Sequence, residues 1–117
     1  MAKDDFHVIV WQILSYLYKQ LKKGNKVDAE CISAESPYYS INEQYWAFIM
    51  ESLGDKGYIR GIKIQQANYI NGKHETNVTE LEKCKITMDG IEYLTTDGLM
   101  RKVRLMYEDK KTYEPLV

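Results

Sequence analysis

Residues 41–66 read INEQYWAFIMESLGDKGYIRGIKIQQ, an apolar-faced helical pattern that meets a glycine and then switches to strand-like alternation. In the first half Tyr45, Ile49 and Leu53 recur four apart, with Trp46, Phe48 and Met50 alongside. One side of a helix is therefore apolar, while Glu43, Gln44, Ala47 and Glu51 are expected to face away. Gly57 follows the last periodic residue and suits the left-handed conformation that closes a helix. Beyond it Tyr58, Ile59, Ile62 and Ile64 are aromatic or β-branched, the side chains a pleated strand accommodates best. A helix that hands over directly to a hairpin is the kernel of a winged-helix domain. The expected class is α+β: a helix-turn-helix core, a two-stranded β wing and additional C-terminal helices.

Toward the C-terminus, strand 58–66 runs into a polar stretch, residues 67–77, that contains the tight-turn dipeptide Asn71-Gly72. Residues 78–86 are expected to return as the partner strand, with Cys84 and Ile86 inward and Leu81, Lys83 and Lys85 on the other face. In a simple hairpin register Lys63, Lys83 and Lys85 share one sheet face, with Lys73 at the tip, and this is the most basic surface the chain offers. Thr87 is placed to cap a fourth helix with Ile91 and Leu94 buried, and Asp97 to cap a last one over about 97–111. In that last helix Leu99, Val103 and Met106 form a stripe, with Met100 and Tyr107 beside it and Arg101, Lys102 and Arg104 exposed.

Toward the N-terminus, residues 4–23 predict a long first helix, capped by Asp4 or Asp5 and stopped by Gly24. Phe6, Ile9, Ile13, Leu17 and Leu21 make one stripe, and Val8, Trp11 and Tyr18 add apolar bulk on a second side. Such a helix is either sandwiched between two layers or shared with another subunit. Residues 27–33 predict a short second helix capped by Asp28 and ended before Pro37. Tyr38 and Tyr39 lie in the following turn, and Ser40 or Asn42 is placed to cap the third helix.

The chain has 117 residues, of which 44% are apolar and 12% aromatic, which fits one domain over 1–117 with one core. Sixteen basic and seventeen acidic residues leave a net charge of -1, without the basic excess of proteins that grip nucleic acid mainly through phosphate. Cys31 and Cys84 are too few for a disulfide framework and lack neighbours at zinc spacing, so buried thiols in a reducing cytoplasm are expected, with no metal and no cofactor. Neither a signal peptide nor a membrane span fits, because MAKDDFH is acidic and the apolar run after it is broken by Gln12, Ser15 and Lys19.

The segments AlaLysAspAspPheHisValIleVal at the start, IleAsnGluGlnTyrTrpAlaPheIle at 41–49 and IleThrMetAspGlyIleGluTyrLeu at 86–94 together resemble the YjcQ-like family of small bacterial and prophage proteins over nearly the whole chain. What the resemblance implies is a winged-helix fold. It assigns no catalytic residue, ligand or functional site.

Catalysis is not expected: His7 and His74 fall in different elements, and no acid, serine or cysteine sits at dyad spacing from either. Gly54, Gly57 and Gly61 follow a helix rather than opening one, so there is no phosphate loop. Two binding readings remain. In the first, double-stranded DNA is held with Asn42, Gln44 and Ala47 of the third helix toward base edges, while Lys63, Lys73, His74, Lys83 and Lys85 reach phosphate from the wing. Glu43 and Glu51 on the same helix oppose it. In the second, the domain binds protein, either another protein or its own copy as a homodimer, through a seam of Trp11, Tyr18, Leu99, Val103 and Met106; the same residues would equally serve to pack the last helix on the first.

Overall fold

Ten consecutive residues of the first helix, Val8 to Leu17, are buried, and the remaining elements are arranged around them. The computed structural model describes residues 6–109, with side chains to 107; the expected caps Asp4 and Asp5, and the end of the last expected helix at 110–111, lie outside that range. The fold is mixed α+β with four α-helices and two small antiparallel sheets among the described residues. α1 (Phe6–Lys23) ends at Gly24, whose φ of 68° is left-handed. There the Asn25 N–H donates to the Gln20 carbonyl at 3.0 Å and the Gly24 N–H to that of Leu21 at 3.1 Å, satisfying acceptors that a helix end otherwise orphans. The second apolar side of α1 is used within the chain: α3 and α4 cover part of the helix, β4 and a 3-10 turn other parts. Leu21, at the end of the expected stripe, is half exposed because it lies beyond these layers.

The expected second helix is instead a four-residue 3-10 turn, Ala29–Ile32, with the Asp28 carboxylate accepting the Glu30 N–H. A segment this short before Pro37 does not offset the cost of helix nucleation, and Ile32 alone anchors it in the core.

α2 (Glu43–Asp55) starts at Asn42, whose Oδ1 accepts the N–H groups of Gln44 at 2.9 Å and Tyr45 at 3.2 Å. Its buried face is Trp46, Ala47, Ile49, Met50 and Leu53. Here the sequence expectation needs correction, since Ala47 is fully buried while Phe48 is 56% exposed. Trp46 sets the rotation, because its indole N–H must reach the Ile32 carbonyl, 2.8 Å away. The helix closes as expected at Gly57, φ 76°, with Tyr58 N–H on the Leu53 carbonyl at 2.9 Å and Gly57 N–H on that of Gly54 at 3.0 Å.

Segments 58–66 and 78–86 do pair, but not as one hairpin. β1 (Ile59–Arg60) pairs with β4 (Lys85–Ile86), and β2 (Lys63–Asn68) pairs with β3 (His74–Thr79). Between the ladders a 3-10 turn, Leu81–Lys83, displaces one strand, and it is entered through Glu80 at a left-handed φ of 60°. Gly61 faces that turn with φ 97°, and a Cβ there would lie 2.0 Å from the Lys83 carbonyl oxygen. Only glycine permits this approach. The outer ribbon β2–β3 turns at Asn71-Gly72 as expected, Gly72 having φ 81°.

α3 (Met88–Thr96) is capped by Thr87, whose hydroxyl accepts the Gly90 N–H at 3.0 Å and donates to the Gly57 carbonyl. Two sequence-distant signals, the end of α2 and the start of α3, are thereby tied together. α4 (Gly98–Asp109) is capped by the Asp97 carboxylate, which accepts from Leu99 at 2.9 Å and Met100 at 3.2 Å. It packs on α1 through Met100 and Val103, both buried, and through Tyr107, which stacks on Trp11 at 4.8 Å between centroids.

Candidate nucleic-acid interface

The outer ribbon lies along α2 rather than projecting away from it, and polar contacts hold it there. Gln44 Oε1 accepts the Thr76 N–H at 3.0 Å, and Gln44 Nε2 donates to the Thr76 carbonyl at 3.3 Å. Two helical turns later Gln66 Nε2 donates to Glu51 at 2.9 Å. The amide of Gln44 thus completes the open edge of β3 as a further strand would. All three residues expected to read bases are consequently committed within the chain: Asn42 caps the helix, Gln44 holds the ribbon, and Ala47 is in the core. What α2 offers to solvent beside them is Glu43 and the ring of Phe48.

The expected lysine face is also divided. Lys83 belongs to the 3-10 turn and pairs with Glu80 at 2.7 Å; Lys73 lies 3.9 Å from Glu75. The Lys83 ammonium holds the Glu80 carboxyl below its usual range, with Lys63 nearby adding to the effect. The partners Glu75 and Glu80 each sit within three residues of their lysine in sequence, a spacing that could have signalled the pairs. His74 contacts Asn68 across the ribbon end and is exposed.

Lys85 has a different neighbour. It stands directly opposite Arg60 in the β1–β4 ladder, and both side chains are exposed. Cross-strand partners project from the same face, so two cations meet there, and neither has an ion-pair partner among the described residues. Lys63 follows just past the Gly61 bend, at the start of β2. Continuous alternation through Gly61 would put Arg60 on the face opposite Lys63 and Lys85, and the bend at Gly61 breaks that alternation. An isolated glycine within a strand pattern signals a bulge, and a bulge resets which residues share a face.

The seam expected between subunits is mostly internal. Trp11 and Val103 are 2% and 4% exposed, Tyr18 is half-buried under the Lys22 ammonium at 4.4 Å, and Met106 is half-buried. Leu99 alone of the five is exposed, at 47%. Turning α4 to insert Met100, Val103 and Tyr107 against α1 leaves Leu99 on the flank of the contact. No helix among the described residues is long and apolar enough to cross a membrane.

Residues 11–111 match a family described as YjcQ protein. No curated protein and no solved structure matches the chain.

Proposed function

The chain belongs to the YjcQ family, and we propose that it is a winged-helix protein that binds duplex DNA in a regulatory, non-catalytic role. It does so through phosphate contacts from the base of the ribbon rather than by reading bases with α2. The observation that carries this reading is the Arg60–Lys85 pair. Like charges directly opposite one another in a ladder cost stability, and a phosphate placed between them turns that repulsion into attraction. Lys63 extends the patch along the ribbon, while Lys73 and Lys83, each beside a glutamate, contribute less.

So few cations imply weak binding with a shallow salt dependence, each phosphate neutralised contributing about 0.9 to the slope of log K against log salt. The test is fluorescence anisotropy of a labelled duplex at low salt with the parent chain, Arg60→Ala plus Lys85→Ala, and Gln44→Ala. Binding lost in the first variant and kept in the second is the expected result. Absence of binding by the parent at micromolar protein would end the DNA reading.

A protein-interaction module is the second reading. It is favoured by the exposed ring of Phe48, tilted against Phe6 at 6.5 Å, on the surface where a groove-reading helix would carry polar side chains.

A further inference from the structure

We propose that the groove between the start of α1, the end of α2 and α3 docks a basic segment of a partner protein, an apolar side chain with an arginine or lysine next to it. This proposal does not rest on the DNA reading and concerns a different surface. Phe6, Val10 and Leu53 line an apolar hollow of about 270 Å3, whose far wall is Tyr58 and Tyr93. Those two rings stack at 4.4 Å between centroids with 14° between their planes. The same stacked pair also lines a second hollow of about 250 Å3, bounded by Asp89, Glu92 and Asp97. The two hollows therefore share the tyrosine pair, the first lined mainly by apolar side chains and the second by carboxylates.

The charge pattern selects the occupant. Both ion pairs among the described residues lie on the ribbon and its turn, and neither Asp89 nor Glu92 takes part in one. Asp89 stands in the first turn of α3 and Asp97 caps α4, so helix N-termini offset part of their charge. Glu92, one turn further along α3, has no such compensation. A guanidinium or ammonium seated there meets carboxylates on one side and the tyrosine pair on the other, an arrangement that attracts cations. Lys56 lines the apolar hollow and repels a cation at that end, which fixes the direction in which a segment would lie. Phosphate is repelled by the same carboxylates, so nucleic acid is not the occupant.

The experiment is a 1H–15N correlation titration of the full chain with a capped Leu-Arg-Arg peptide, against Leu-Glu-Glu and Gly-Arg-Arg peptides. Shifts confined to α3, the end of α2 and the start of α1 are expected with Leu-Arg-Arg. Gly-Arg-Arg should bind more weakly and Leu-Glu-Glu not at all. Asp89→Lys plus Glu92→Lys should lower affinity by about tenfold or more, the loss expected for charge-assisted hydrogen bonds. Both positions are exposed on a helix; should the double variant unfold, Glu92→Gln read together with salt dependence serves the same purpose. No shifts at millimolar peptide, equal binding of Leu-Glu-Glu, or an affinity indifferent to charge reversal would overturn the proposal. So would groove shifts that follow protein concentration without peptide, which would assign the groove to a second copy.

Discussion

Gln44 grips Thr76 by both ends of its amide, closing a two-bond ring between the first turn of α2 and the edge of β3. Sequence reading would aim this side chain at a base; the fold uses it to keep the ribbon against the helix. Gln44→Ala is expected to destabilise the domain by about 1 kcal/mol, since it leaves an exposed rather than a buried N–H without its partner. The ribbon should loosen more than the core. Hydrogen exchange at Thr76 and its neighbours, measured beside exchange in α1, separates the two; equal effects in both would mean that Gln44 is not a local clamp.

Two glycines admit backbone at distances no other residue allows. A Cβ at Gly90 would meet the Tyr58 carbonyl oxygen at 2.2 Å and the Ile86 side chain at 2.8 Å, and one at Gly61 would meet Lys83 at 2.0 Å. Gly90→Ala is expected to cost about 3 kcal/mol, because α3 must lift away from β1 and β4. Gly61→Ala adds left-handed strain to its clash and should cost at least as much. Gly54→Ala, with nothing within 4 Å of the new methyl, is the matched control and should be neutral or slightly stabilising in urea denaturation.

Four of the five expected helices were legible at ends that local chemistry decides, since Gly24 and Gly57 close helices and Thr87 and Asp97 open them where sequence places each, whereas the expected helix over 27–33 shrank to a 3-10 turn that its Asp28 cap could not extend. The ribbon turn at Asn71-Gly72 was legible for the same reason. Facing was harder. Ala47 and Phe48 exchanged roles because the rotation of α2 follows a long-range bond from Trp46 to Ile32 that no periodicity reports. The candidate site suffered most, since Gly61 and Glu80 interrupt the pairing and Arg60 joins Lys85 only across that break. Whether a lysine is free or neutralised likewise depends on backbone geometry around Glu75 and Glu80, which spacing alone leaves open.

Burial raises the Cys84 thiol from an ordinary 9.0 to about 12, and burial likewise raises the Tyr16 hydroxyl to about 12, although the Asp28 N–H partly opposes it. Both groups bind their protons more tightly folded than unfolded. Their contribution is therefore intact below about pH 9 and is lost as pH climbs toward 12, at up to about 1.4 kcal/mol per group for each pH unit between its two values. Urea midpoints from about pH 9 upward should fall, and Cys84→Ala should flatten the first part of that fall while lowering the neutral midpoint through its cavity. An unchanged slope would mean that the thiol is solvated. At pH 8 Cys84 should also resist alkylation until the domain unfolds, whereas half-buried Cys31 should react sooner.

The stripe Leu99, Val103 and Met106 tests whether α4 serves this chain or a second one. Val103 is 4% exposed against α1, so Val103→Asp buries an unpaired carboxylate and should unfold the domain or cost at least about 3 kcal/mol. Leu99 is 47% exposed, and Leu99→Asp adds a charge near the N-terminus of α4, where the helix dipole tolerates it. If α4 only packs within the chain, Leu99→Asp leaves both thermal midpoint and mass by light scattering unchanged. If copies associate through this flank, the parent chain scatters as a dimer and Leu99→Asp returns it to a folded monomer. Combining Leu99→Asp with Val103→Asp would not distinguish these outcomes, because the Val103 change acts on the core whichever holds; Leu99→Asp alone decides between them.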